Sequence, residues 1–82
     1  MQNKIDRPKN FTLIWYKTGS NFTKMIGRVE TKSIRHFRTK LKLLKNQNEY
    51  YLRVSYTRGG HNEGVYSTRK GLMLALNAFC EK

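Results

Sequence analysis

Acidic residues are scarce in this chain of 82 residues: Asp6, Glu30, Glu49, Glu63 and Glu81 face 17 Lys and Arg, leaving a formal net charge of +12. Such an imbalance opposes compaction through self-repulsion, and its usual compensation is a polyanionic partner whose condensed counterions are released on binding. Nucleic acid is therefore the expected partner. Composition leaves two alternatives open: a basic protein kept soluble by its charge, or one that docks on an acidic protein patch.

Cysteine is nearly absent. The single Cys80 cannot form an internal disulfide, and with two histidines there is no Cys/His cluster at metal-ligand spacing, so neither a metal nor a cofactor is expected. A reducing cytoplasm fits this usage. Long apolar runs are also missing: nothing approaches the roughly 20 residues of a membrane span. Residues Met1 to Asp6 lack the apolar centre of a signal peptide, so neither membrane insertion nor export is expected. Asn10-Phe11-Thr12 and Asn21-Phe22-Thr23 then match the glycosylation triplet by chance. The length allows one domain with one modest core, too small for a deep substrate cavity.

The most readable stretch is Glu49 to Cys80. Tyr50, Leu52, Val54 and Tyr56 alternate with Tyr51, Arg53 and Ser55, the pattern of a half-buried strand. Gly59-Gly60 can take positive φ without steric cost, and Asn62 can close a turn on its own backbone, which predicts a hairpin loop of four or five residues into a short run at Gly64-Val65-Tyr66. Ser67 or Thr68 then caps a helix whose Leu72, Ala75, Leu76 and Phe79 recur at three and four.

The earlier half echoes this order. Residues 1–10, with Lys4, Arg7, Lys9 and the only proline, Pro8, show no periodicity and read as a flexible basic arm ahead of a single domain over 11–82. Phe11 to Thr18 reads as a strand, Gly19-Ser20-Asn21 as a turn, and Phe22 to Thr31 as a second strand in which Gly27 marks a bulge. From Lys32 to Lys45, Ile34, Phe37, Leu41 and Leu44 form one helical stripe with Ser33 as cap. A strand over Thr39 to Leu43 is the competing reading, because Leu41 and Leu43 also alternate with lysines. Asn46-Gln47-Asn48 breaks the helix.

The expected fold is a ββαββα α+β domain: an antiparallel sheet with two helices packed on one face. The second helix, Gly71 to Cys80, is apolar almost all round. In so small a chain this predicts a homodimer through Leu72, Leu74, Ala78 and Phe79.

Two surfaces are candidates for nucleic acid. The first helix carries Lys32, Arg35, Arg38, Lys40, Lys42 and Lys45 with no acid between Thr31 and Asn48, whereas a merely solvated helix face mixes signs. These cations can sit against phosphates, and arginines can also read guanine edges in a major groove. The second surface is the sheet, where Tyr51, Arg53 and Tyr66, joined by Trp15 or Tyr16 according to how the first strand turns, would stack bases and meet phosphates. Arg58, in the glycine loop, adds a cation. The competing reading packs these tyrosines in the core or across strands.

The order of strand, turn, strand and helix over Glu49 to Cys80, with Val65-Tyr66-Ser67-Thr68 entering the helix, resembles the small sheet-type DNA-binding modules at the amino ends of phage integrases. The resemblance covers about 32 residues and contains no diagnostic motif. DNA is expected ahead of RNA, and so small a cationic protein suits a regulator or accessory factor of a phage or mobile element. The glycine-rich aromatic motif of RNA-recognition domains, the Gly-x-x-Gly clamp and the zinc finger are absent from the sequence.

Two other classes compete. A small inhibitor or adaptor would dock the basic surface on an acidic protein through anchors such as Trp15 or Met73. A small basic ribonuclease would use His61 as acid or base with Arg58, Tyr56 and Lys70 nearby. No second catalytic group is specified, and the glycine loop lacks the Gly-Lys-Ser/Thr ending of a P-loop, so a non-catalytic binder is the expected class.

Overall fold

A computed structural model describes residues 7–17, 25–44 and 48–81. Its elements run β1 (Pro8–Lys17), β2 (Met25–Thr31), α1 (Ile34–Lys42), β3 (Asn48–Tyr56), β4 (His61–Tyr66) and α2 (Arg69–Cys80). This is the expected ββαββα α+β domain, with one four-stranded antiparallel sheet in the order β2-β1-β3-β4. The expected turn at Gly19-Ser20-Asn21, the residues Phe22 to Lys24, and Lys45 to Gln47 lie outside the described residues.

Register decides which side chains share a face. Phe11 stands opposite Val54, Leu13 opposite Leu52, and Trp15 opposite Tyr50, which in turn faces Tyr66. This inner face meets both helices. Phe37, Leu41 and Leu44 come down from the first helical segment and Leu72 and Leu76 from α2, closing one core with Phe11, Leu13, Tyr50, Leu52, Val54 and Tyr56. The Phe11 and Phe37 rings pack tilted, with centroids 5.4 Å apart. Tyr56 is buried with its hydroxyl satisfied: it donates to the Phe79 carbonyl at 2.9 Å and accepts from Asn62 Nδ2 at 2.9 Å. A buried hydroxyl without partners would cost about 1–3 kcal/mol, so Asn62 serves the core and not, as expected, its own turn.

The two halves are built alike. Ser33 Oγ accepts from the His36 amide and Thr68 Oγ1 from the Gly71 amide, so each helix opens on a hydroxyl cap. Each buries the residues four and eight positions after its cap, Phe37 and Leu41 in α1, Leu72 and Leu76 in α2. The helices run antiparallel: Arg69 Nη1 at the start of α2 donates to the Leu44 carbonyl at 2.8 Å, and Arg38 Nη2 donates to Asn77 Oδ1 at 3.1 Å. Arg69 thus ties the start of α2 to the residue just past the C-cap of α1. The competing strand over Thr39 to Leu43 does not form.

Three expectations are corrected. Pro8 to Asn10 belong to β1 and not to an arm, and Arg7 already exchanges backbone contacts with Thr57, its carbonyl accepting from the Thr57 amide at 2.9 Å. Proline fits here because it is the first residue of the strand, where the register is irregular. Second, α2 is one-sided. Leu72 is fully buried and Phe79 is partly buried against the core, while Leu74 and Ala78 are the exposed pair of the four residues expected at a dimer contact. Third, β4 begins at His61, directly after the loop, and is longer than the expected run from Gly64. Gly59 and Gly60 have φ of 90° and 82°, the left-handed geometry the loop needs. No helix among the described residues is long and apolar enough to cross a membrane.

Two glycines on the inner face lie under aromatic rings. The expected bulge is present: Trp15 faces Gly27 and Tyr16 faces Met25, leaving Ile26 as the extra residue. A Cβ on Gly27 would come within 2.6 Å of Trp15 Cε2. A Cβ on Gly64 would come within 2.7 Å of Tyr66 Cζ. Gly27→Ala is expected to lower stability by about 1–3 kcal/mol through overpacking, measured by urea unfolding. In the Trp15→Leu background the same change should cost clearly less, and an equal cost in both would show that the ring is not the obstacle.

Candidate nucleic-acid interface

Charge is divided between the two layers. Each outward residue of the sheet follows from register: Arg28, Ile14, Tyr51 and Val65 form one row across it, and Glu30, Thr12, Arg53 and Glu63 form the next. Glu49 lies opposite Tyr16 on the same face. Among the described residues Arg28 and Arg53 thus share that face with Glu30, Glu49 and Glu63, which leaves it without a positive excess.

These groups are also tied to one another. Arg28 Nη2 lies 2.7 Å from Glu30 Oε1, and Asn10 Nδ2 donates to Glu30 Oε2 at 2.9 Å. The Asn10 hydrogen bond, then Arg28, holds the Glu30 carboxyl below its ordinary range. Tyr51 donates to Glu63 Oε1 at 2.6 Å, His61 Nε2 lies 3.5 Å from the same oxygen, and Arg53 Nη2 lies 3.5 Å from His61 Nδ1. His61 therefore sits with Arg53 and Glu63, neither of which was grouped with it from sequence. Its contact with Glu63 is direct.

The aromatic platform expected on the sheet is divided between faces. Tyr51 is on the open side, half-buried. Tyr66 is on the other: it stands opposite Tyr50 and packs on the core, because the loop length sets β4 with His61 opposite Ser55. Trp15 also faces the core. Tyr16 is on the open side but is 3% exposed, too little to stack a base. Among the expected stacking residues, only Tyr51 and Arg53 are accessible on the open face.

The helical layer is different in kind. Arg35, Arg38, Lys40 and Lys42 are all exposed on α1, and Lys32 stands exposed just before it. Lys40 and Lys42 occupy the last turn, where the helix dipole favours cations. The structure adds Lys70, exposed on the first turn of α2, which sequence reasoning did not place with this group. Its signal was available: Thr68 caps α2, so Lys70 falls in the turn that packs beside the end of α1. Against these cations the helices carry only Glu81, after α2. Arg58 is exposed in the hairpin loop, at the end of the sheet where Arg7 meets Thr57, away from the row formed by Tyr51. Lys45 lies outside the described residues.

The phenols respond to burial. Tyr51 is raised above its ordinary value of 10.0 by burial and then by its bond to Glu63, Tyr16 by burial and then by Glu49, and Tyr50 by burial. An acid whose folded value is raised keeps its proton longer in the folded than in the unfolded chain. Its contribution is thus intact below 10.0 and is lost as pH rises from there through the folded value. A spectrophotometric tyrosinate titration is expected to show these three ionising above the ordinary value, with the melting temperature falling over the same range. Tyr51→Phe should remove one of the late-titrating groups. A titration in which all five tyrosines ionise together at the ordinary value would contradict this assignment.

In comparisons with family models, curated proteins and solved structures, no match to this chain was found, so its functional reading stands on this surface alone.

Proposed function

We propose that this chain binds nucleic acid, duplex DNA in the first place, through the cationic face of its helical layer and without catalysing a reaction on it. Lys32, Arg35, Arg38, Lys40 and Lys42 neutralise phosphates, with Lys70 extending the surface. The observation that carries the reading is the separation of charge. Three of the four described acids are on the open sheet face, two of them bound to cations or to Tyr51 there, while α1 has none. Like charges at three- and four-residue spacing weaken a helix, so α1 bears a cost in the free protein that phosphates would relieve.

Dimensions support a duplex. With side chains α1 is roughly 10–12 Å across, and the major groove, roughly 12 Å wide, admits a helix of that diameter. Tyr51 and Arg53 on the open face, already engaged with Glu63 and His61, are secondary in this reading.

Fluorescence anisotropy against labelled duplex DNA, single-stranded DNA and RNA, repeated from about 50 to 200 mM salt, tests it. With five phosphates neutralised, the logarithm of the association constant should fall against the logarithm of salt with a slope of roughly −4 to −5 on duplex DNA. Neutralising Arg35, Lys40 and Lys42 together to Gln should make that slope shallower by about 2 to 3, sparing Arg38 because it also holds Asn77. Arg28→Gln with Arg53→Gln should leave it nearly unchanged. Absence of binding to all three polymers at low salt would sink the reading and turn attention to an acidic protein partner.

A further inference from the structure

A cavity of about 380 Å³ opens where the start of β1 meets the first turn of α1 and the last turn of α2. Its floor is apolar, formed by Pro8, Phe11 and Ile34. Arg7, Lys32 and Arg38 surround it, and Cys80 closes one side. Among the described residues no carboxylate lines it. The Cys80 thiol is half-buried there; burial pushes its pKa up, and the nearby Arg38 charge offsets part of that.

The lining selects a ligand by two properties at once. A bare phosphate would engage the cations but leave the apolar floor in water. A neutral apolar ring would cover the floor but leave three cations without an anion. A ring that carries a phosphate satisfies both, and a nucleotide freed from its pair is such a group.

We infer that this cavity takes one unpaired nucleotide of the bound nucleic acid, its base against Pro8 and Ile34 and its phosphate among Arg7, Lys32 and Arg38. The inference rests on the nucleic-acid reading above and deepens it: two of the three cations, Lys32 and Arg38, belong to the helical face as well. That face would hold the paired region while the cavity receives the nucleotide at a fray, nick or overhang. A blunt, fully paired duplex would leave the cavity empty.

Two duplexes of equal charge, one blunt and one ending in a single unpaired, 5′-phosphorylated nucleotide, separate the possibilities by anisotropy titration at matched salt. The overhang is expected to bind about fivefold tighter or more, as burial of roughly 40 Å² of apolar surface against Pro8 and Ile34 would give. It should also slow alkylation of Cys80 more than the blunt duplex does. Arg7→Gln, a change at an exposed side chain, should remove most of the preference, and Ile34→Asn should do the same with blunt-duplex affinity and salt slope retained. Equal affinities for the two duplexes, both salt-dependent, would overturn the cavity assignment while leaving the helical interface standing. A preference that survives both substitutions would also overturn it. Failure of both duplexes to bind would remove the interface and the cavity together.

Discussion

The alternation of side chains along β3 is the constraint on which the other elements depend. Tyr50, Leu52, Val54 and Tyr56 all point to one side and are buried almost completely, so the strand has only one workable orientation. A slip of one residue would move Arg53 into the core and four large apolar groups into water. Because β3 is central, that orientation propagates. It sets the inner face of β1 through Leu13 opposite Leu52, and of β4 through Tyr66 opposite Tyr50. Both helices then lie on that side, where the large apolar side chains that need cover are gathered.

This arrangement also explains why the charges separate. The outward positions of a four-stranded sheet bring side chains of neighbouring strands close together, and carboxylates there find partners across and along strands, as Glu30 does with Arg28 and Asn10 and Glu63 does with Tyr51. A helix offers no such cross-strand partner. α1 has only its own neighbours and the edge of α2, and with no acid in its sequence its cations remain turned to solvent. The result is a molecule with a neutralised sheet face and a cationic helical face.

Much of the fold was legible because its signals are local. The spacing of Ile34, Phe37, Leu41 and Leu44, the hydroxyl caps at Ser33 and Thr68, the paired glycines of the hairpin and the alternation in β3 each depend on a few neighbouring residues. What was not legible depends on pairing between distant residues. Pro8 to Asn10 are polar and aperiodic, and only their contacts with β3 and Thr57 make them a strand. The face of Tyr66 depends on one residue of loop length, because the side-chain period of a strand is two. The apolar run of α2 suggested a second buried surface, but Leu72 and Leu76 fill the core while Leu74 remains 61% exposed. The cations of α1 were readable as a group from sequence. That the sheet face would be neutralised was not, since it required knowing that Arg28 adjoins Glu30 and that Tyr51 reaches Glu63.

The likeness of the two halves has a consequence for how the domain assembles. β1 and β3 are the inner pair of the sheet, and they come from different halves, so neither ββα unit alone has a complete sheet or a covered core. A separate half would keep an unpaired strand edge and a bare apolar face, and could satisfy them only by meeting another half in solution. Joining both units in one chain turns that encounter into an intramolecular step. Stability then no longer varies with protein concentration, as it would for a pair of separate subunits. The charges of α1 and the closing contact of Arg69 on Leu44 are thereby present on every folded molecule, however dilute it is.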